Sequence, residues 1–469
     1  MRNCISKMKD PMSRRVWDEK AEIMPREEME RVRFEKLKRQ LKRSYRRSAF
    51  YKRKFNEIRA KPEDIRTWED FRQLPIFMTK EDERASEAES REKKGFPFGM
   101  HCLVPPQKVT VIRTTSGTTG TPTFGYSYTK RDYERFKECL ARVYWLASLR
   151  PGDRVLNCFP ALGGIHSSGG LWSGALLRMG VVPLEVGAEA GPERALQFAM
   201  LTKPTALFGS PSFAQSLIEI STKVTGKEIR DLGIRKLLLS GEPGIEMPAI
   251  RRRIEEDFGG KWHVWWALYG EACAASCPEE EYQGMHEVAS EFSIHSEDIV
   301  DPVTKEPVKV EEGAIGETVL TALDREGLSF IKYATGDVIQ LFTKPCPCGY
   351  PGPGYRFKMV GRVEDMLLVE GVRVFPISLR QVISSFSPRL TGAVRIVLSE
   401  KPPQITSPLR IKAEHGPGME DKDLKNLKRE VAAKIQTTCG ILPEVELAPP
   451  ESLGRSIWKT AMFERKYEA

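Results

Sequence analysis

From about residue 108 the chain alternates short apolar runs with longer stretches whose apolar positions recur every three or four residues. KVTVIRTTS, DRVLNCFP, VVPLEV, TALFGSP and RKLLLSGEP read as short, mostly buried strands. RDYERFKECLARVYWLASL, GGLWSGALLRMG and the stretch from Phe213 to Thr222 carry the helical period between them. Strands alternating with helices predict βαβ units, and so a largely parallel sheet with helices on both faces, an α/β architecture.

From Glu312 the texture changes: GETVLTAL, LSFIKYATGD and VIQLF read as short strands joined by turns. After Gly361 come DMLLVEG, a helix from Ile377 to Ser385, AVRIVLS, LRIKAE, a charged helix over 420–437, VELA and a basic tail. That βαββαβ-like run has the size of a small α+β domain. The sequence therefore predicts a large multi-layer α/β amino-terminal domain over 1–361 and a small, mobile α+β carboxyl-terminal domain over 362–469. Upstream, Lys80 to Lys94 reads as a charged linker. Phe34, Leu37, Leu41 and Tyr45 place an apolar stripe on a basic helix before it.

Charge changes the picture only locally. The net charge is +9, but residues 1–60 hold 20 Lys/Arg against 9 Asp/Glu, which leaves 53 against 55 for the remainder. A nearly neutral body with one basic helix argues for a solvated helix packed on a domain and against nucleic-acid binding. No apolar run is long enough to cross a bilayer, and MRNCISKMKD lacks the apolar stretch of a secretory signal, so no membrane association and a cytoplasmic location are expected. Nine cysteines, an odd number, argue against a disulfide framework.

The densest chemistry is Thr114-Thr115-Ser116-Gly117-Thr118-Thr119-Gly120-Thr121-Pro122-Thr123, directly after VTVI. Glycines let backbone N–H groups approach a ligand and hydroxyls donate to anionic oxygens, so the loop is either a phosphate cradle or a polar surface turn. No Gly-Lys-Ser/Thr follows, which excludes a P-loop NTPase. Cys346-Pro347-Cys348-Gly349 is a tight thiol pair. With Cys277 and His286 it makes a Cys₃His set suited to tetrahedral structural zinc, the alternative being reduced cysteines without metal.

The loop resembles the phosphate-binding motif of adenylate-forming enzymes, and three further motifs follow in order. Ser240-Gly241-Glu242-Pro243 is similar to their adenine-contacting segment, Tyr333-Ala334-Thr335-Gly336-Asp337 to the ribose-binding one, and Gly361-Arg362-Val363-Glu364-Asp365 to the interdomain hinge. Pro122-Thr123 where many relatives have Pro-Lys, SYRRSAFYKRKF, QLPIFMTKED, CPCG and Gly371-Val372-Arg373-Val374-Phe375-Pro376 bring the chain closest to the phenylacetate-CoA ligase family, over nearly its whole length. Some members of that family share the Cys₃His pattern.

The resemblance implies an AMP-forming ligase using ATP, magnesium and coenzyme A on a small-molecule aryl or arylalkyl carboxylic acid. Alternatives are an adenylating enzyme that passes the acyl group to a carrier protein, an amine or a sugar, or an inactive nucleotide-binding homologue; a homodimer is left open. Carried onto this sequence, it gives Ser116, Gly117, Thr118, Thr119 and Gly120 to the phosphates, Gly241, Glu242 and Pro243 to adenine, Asp337 and Arg362 to the ribose, and Glu364 to the hinge. Lys459, preceded by Trp458 where relatives usually have glycine, is the catalytic lysine, Glu271 the magnesium ligand, and Phe159 and His166 line the acid pocket.

Overall fold

The computed structural model describes residues 15–115, 121–160, 170–242, 244–245, 247–454 and 462–467. The parallel sheet lies in the first half. Its strands stand in the spatial order Val182–Glu185, Arg154–Asn157, Ala206–Gly209, Lys236–Leu239 and Lys261–His263. All four ladders are parallel. In chain order this is 2-1-3-4-5, so the winding reverses between Arg154–Asn157 and Ala206–Gly209. Leu207, Phe208, Leu237 and Leu238 are fully buried, as apolar runs without alternation require when helices cover both faces.

An antiparallel sheet follows, with Ile315–Ala322, Tyr333–Phe342, Arg356–Arg362, Met285–Val288, Ala272–Ser276 and Trp265–Leu268 side by side. LSFIKYATGD and VIQLF are not two strands: one ten-residue strand, Tyr333–Phe342, spans both, and LSFIK leads into it. Beyond Arg362, strands Pro443–Ala448, Leu409–His415, Leu390–Leu398 and Phe463–Arg465 form a sheet in that order. Helices Pro376–Ser384 and Asp421–Cys439 bury their apolar faces in the same cluster as the sheet. The basic tail thus contributes a strand, pairing parallel with Leu390–Leu398.

The amino-terminal helix runs Arg26–Arg47 with Leu37 and Leu41 fully buried. Its cations serve the fold: Lys36 Nζ donates to Glu291 O at 2.8 Å and Arg43 Nη2 to Glu326 O at 2.6 Å.

Lys80–Lys94 is not a linker but a 15-residue helix. Thr79 and Asp82 form a capping box at its start, and Gly95, at φ +72°, ends it. Its buried face is polar, consisting of Glu83, Ser86, Glu87 and Ser90, so apolar periodicity gives no sign of it. Among the described residues no helix is long and apolar enough to cross a membrane.

Candidate active site

Three of the motifs meet along the carboxyl edge of the parallel sheet and the neighbouring antiparallel one. Ser240 follows Lys236–Leu239 and donates its backbone N–H to Gly209 O at 3.0 Å and its hydroxyl to Trp265 O at 2.5 Å. Gly241 takes φ +89°, and Glu242 accepts from the Ser212 hydroxyl at 2.9 Å and backbone N–H at 3.2 Å. Phe159 lies two residues beyond Arg154–Asn157 and is buried.

The Ser/Thr-rich loop is pinned at its neck. Thr115 N–H donates to Thr123 O at 2.9 Å, and Thr123 N–H donates to Thr115 Oγ1 at 3.0 Å. Ser116 to Gly120, Pro243, His166 and Lys459 lie outside the described residues.

Asp337 and Arg362 are register partners on adjacent antiparallel strands, and their charged atoms stand 3.2 Å apart. Arg362 also reaches Glu364, at 3.6 Å. Gly336, at φ +80°, turns the chain so that its N–H meets Glu317 Oε1 at 2.9 Å.

Glu271, the expected magnesium ligand, stands in a buried ion-pair network in which both guanidinium contacts fall on Oε1, and its Oε2 has no hydrogen-bond partner among the described residues. It closes a tight hairpin whose central residues, Tyr269 and Gly270, have φ +50° and +70°. Its fully buried carboxylate accepts from Arg135 and, at 3.0 Å, from the fully buried Arg325. Two guanidinium groups therefore balance the charge at Oε1. Arg325 also donates to Tyr269 O at 2.6 Å and to Gly125 O and Ser127 O at 2.8 Å, tying the hairpin to the segment after the loop.

Sequence reasoning missed Lys80. The short parallel pairing of Met78 with Tyr333 carries the start of its helix to the ribose-motif strand. From there Lys80 Nζ donates to Thr123 Oγ1 at 2.5 Å, Tyr269 OH at 2.6 Å and Glu83 Oε2 at 2.9 Å. Burial works against its charge but is outweighed by Tyr269 and Glu83, which hold the ammonium above the usual lysine range. The signal was Thr123 itself: an ammonium absent from the loop sequence arrives from another element. Next on the same helix, Glu87 Oε1 accepts the Phe124 N–H at 2.7 Å. Burial, reinforced by Glu83, pushes Glu87 up to about 8.

Cys277, His286, Cys346 and Cys348 come together, their donor atoms all within 4.8 Å of one another. Cys277 Sγ and Cys346 Sγ are 3.8 Å apart, Cys348 Sγ and His286 Nε2 3.5 Å, and the Tyr350 N–H donates to Cys348 Sγ at 3.3 Å. Burial pushes His286 down to about 3, leaving a neutral imidazole. Three sulfurs and one imidazole nitrogen at this spacing fit tetrahedral zinc.

Residues 371–464 match the family model of the AMP-binding enzyme C-terminal domain. The phenylacetate-coenzyme A ligase of Thermus thermophilus is 31% identical over 463 residues, covering 94% of this chain and 97% of that one. The chain belongs to the phenylacetate-CoA ligase family. A second member, from Pseudomonas putida, is 29% identical over 90% of each chain.

Among solved structures, a 2-hydroxyisobutyryl-CoA ligase in its postadenylation state, with an acyl-AMP bound, superposes on this family member with a TM-score of 0.83 at 25% identity, over 98% of this chain and 94% of that one. The same ligase in its thioesterification state gives 0.67.

Proposed function

We propose that the chain is an ATP-dependent, AMP-forming ligase that activates an aryl or arylalkyl carboxylic acid as its acyl-adenylate and transfers the acyl group to coenzyme A. The observations that support it are the Ser240–Glu242 segment at the carboxyl end of its parallel strand and bonded to Trp265 of the antiparallel sheet, the pinned loop reached by Lys80, and the Asp337–Arg362 pair on that antiparallel sheet, in a chain of this family. A carboxylate oxygen attacks the α-phosphorus of ATP and pyrophosphate leaves. The coenzyme A thiol then attacks the acyl carbonyl, and AMP leaves with the former carboxylate oxygen.

Because two anions meet in the first step, positive charge and aligned donors must stand where charge develops. Ser116, Gly117, Thr118, Thr119 and Gly120 supply donors to the phosphates, and Lys80 and Lys459 supply the ammonium groups. Magnesium, when bound with ATP, would neutralise phosphate charge. Gly241, Glu242 and Pro243 flank adenine, while Asp337 accepts from the ribose hydroxyls and Arg362 orients it. Residues from 362 onward form a small domain that turns about Glu364 between the half-reactions, and Cys277, His286, Cys346 and Cys348 hold a structural zinc.

Acid-dependent exchange of labelled pyrophosphate into ATP tests the first half-reaction, and coenzyme A consumption the second. Exchange without thiol consumption would move the acceptor to another nucleophile; no exchange with any aryl acid would sink the reading. Lys459→Ala should abolish exchange yet keep thioester formation from a supplied acyl-adenylate, whereas Glu364→Pro should do the reverse.

A further inference from the structure

Doubly wound sheets of order 2-1-3-4-5 take their ligands outside the carboxyl ends of the two strands where the winding reverses. Five aromatic side chains stand at that point. Phe159 follows one of the two strands and Phe208 belongs to the other; Tyr144, Trp172 and Trp265 come from elements packed beside them. Trp265 is the hub, with ring centroids 5.0 Å from Trp172, 5.7 Å from Phe159, 6.0 Å from Tyr144 and 6.1 Å from Phe208. Such a set of ring faces and edges suits a flat aryl group.

Two polar atoms break the apolar character of this cluster. Tyr144 OH and Trp265 Nε1 are buried and have no hydrogen-bond partner among the described residues, on residues 0% and 4% exposed. Several other ring donors are matched, Trp262 Nε1 to Leu239 O at 3.1 Å, Trp17 Nε1 to Glu138 at 3.0 Å and Tyr126 OH to Ala267 O at 3.1 Å, while Tyr128 OH is also unanswered but stands outside this ring cluster's contacts with Trp265. An indole N–H can only donate and a phenol O–H can donate or accept, so an oxygen from outside the protein would answer both. On the ligase reading, the position of Tyr144 places that oxygen on the ring side of the substrate. The helix bearing Tyr144 begins at Lys130, beside the short ladder framing the Ser/Thr-rich loop, and Tyr144 stands about 21 Å along it by helical rise.

Resting on the ligase reading, we propose that the substrate is an aryl or arylalkyl acid whose ring carries an oxygen substituent, and that Tyr144 and Trp265 are the residues that select it. Burying an unanswered donor is costly, and a fold that leaves two together at a ligand crevice has their partner supplied with the substrate.

The test compares kcat/KM for 3- and 4-hydroxyphenylacetate with that for phenylacetate, read by pyrophosphate release. The wild type should favour one hydroxylated acid at least tenfold, and Tyr144→Phe and Trp265→Phe should each cut that ratio about tenfold. Tyr144→Phe removes a hydroxyl that no group among the described residues holds, so the variant should fold. A wild-type ratio at or below one for both acids, or a ratio unchanged in both variants, would overturn the inference while leaving the ligase standing. No release with any of the three acids would overturn both.

Discussion

Arg362 Nε stands 3.2 Å from Asp337 Oδ1 because strand register sets the two residues opposite each other. Asp337 is 8% exposed, so its carboxylate is held in one place rather than left to solvent. If that carboxylate binds the ribose, Asp337→Ala should raise the KM for ATP by roughly ten- to a hundredfold, the equivalent of one charged hydrogen bond of about 1.5–3 kcal/mol. Initial rates against ATP concentration check this, and wild-type kinetics would refute the ribose assignment.

Glu271→Ala leaves Arg135 and Arg325 buried without their shared counter-charge. Unfolding in urea should show a loss of about 3–5 kcal/mol. A variant of full stability that instead needs more magnesium for half-maximal activity would return Glu271 to the metal.

Glu87 gives a pH signature. Its ordinary value is 4.5 and the folded chain raises it to about 8, through burial and Glu83. Folding therefore takes up a proton between those values. The stability from this group is present below about pH 4.5, declines as pH rises through the window, and is gone above about 8. The slope is at most roughly 1.4 kcal/mol per pH unit. Glu87→Gln should flatten the stability profile from pH 5 to 8; an identical slope would show that another group titrates there.

Zinc should copurify at one equivalent per chain and be lost from the Cys346→Ser, Cys348→Ser double variant, together with thermal stability. Metal analysis of freshly purified wild-type protein that finds no zinc would end that assignment.

The parallel sheet could be read from the sequence because runs such as Lys236–Leu239 and Ala206–Gly209 are apolar without alternation and stand between helical stretches. The Cys₃His set could be read as well, since residue type alone marks it. The helix Lys80–Lys94 could not, because the residues it buries are glutamates and serines. Nor could the surroundings of Glu271, whose arginine partners lie 136 and 54 residues away in sequence. The buried ion-pair network around this glutamate is delivered only by the tertiary fold.

Two ion pairs flank Glu364. Before it, Arg362 holds Asp337; after it, Arg373 grips Asp301 with two bonds of 2.7 and 3.1 Å, and Asp301 is itself fixed by the Val303 and Thr304 N–H groups at 2.9 Å each. If the chain turns about Glu364 as proposed, the rotation would leave the first pair at rest and draw the second apart, and Arg373 and Asp301 would act as a catch on a lever. Arg373 is 41% exposed and Asp301 25%, within reach of dissolved ions that compete for both. On that proposal, the salt content of the medium would become a throttle on a swing whose chemistry involves neither residue.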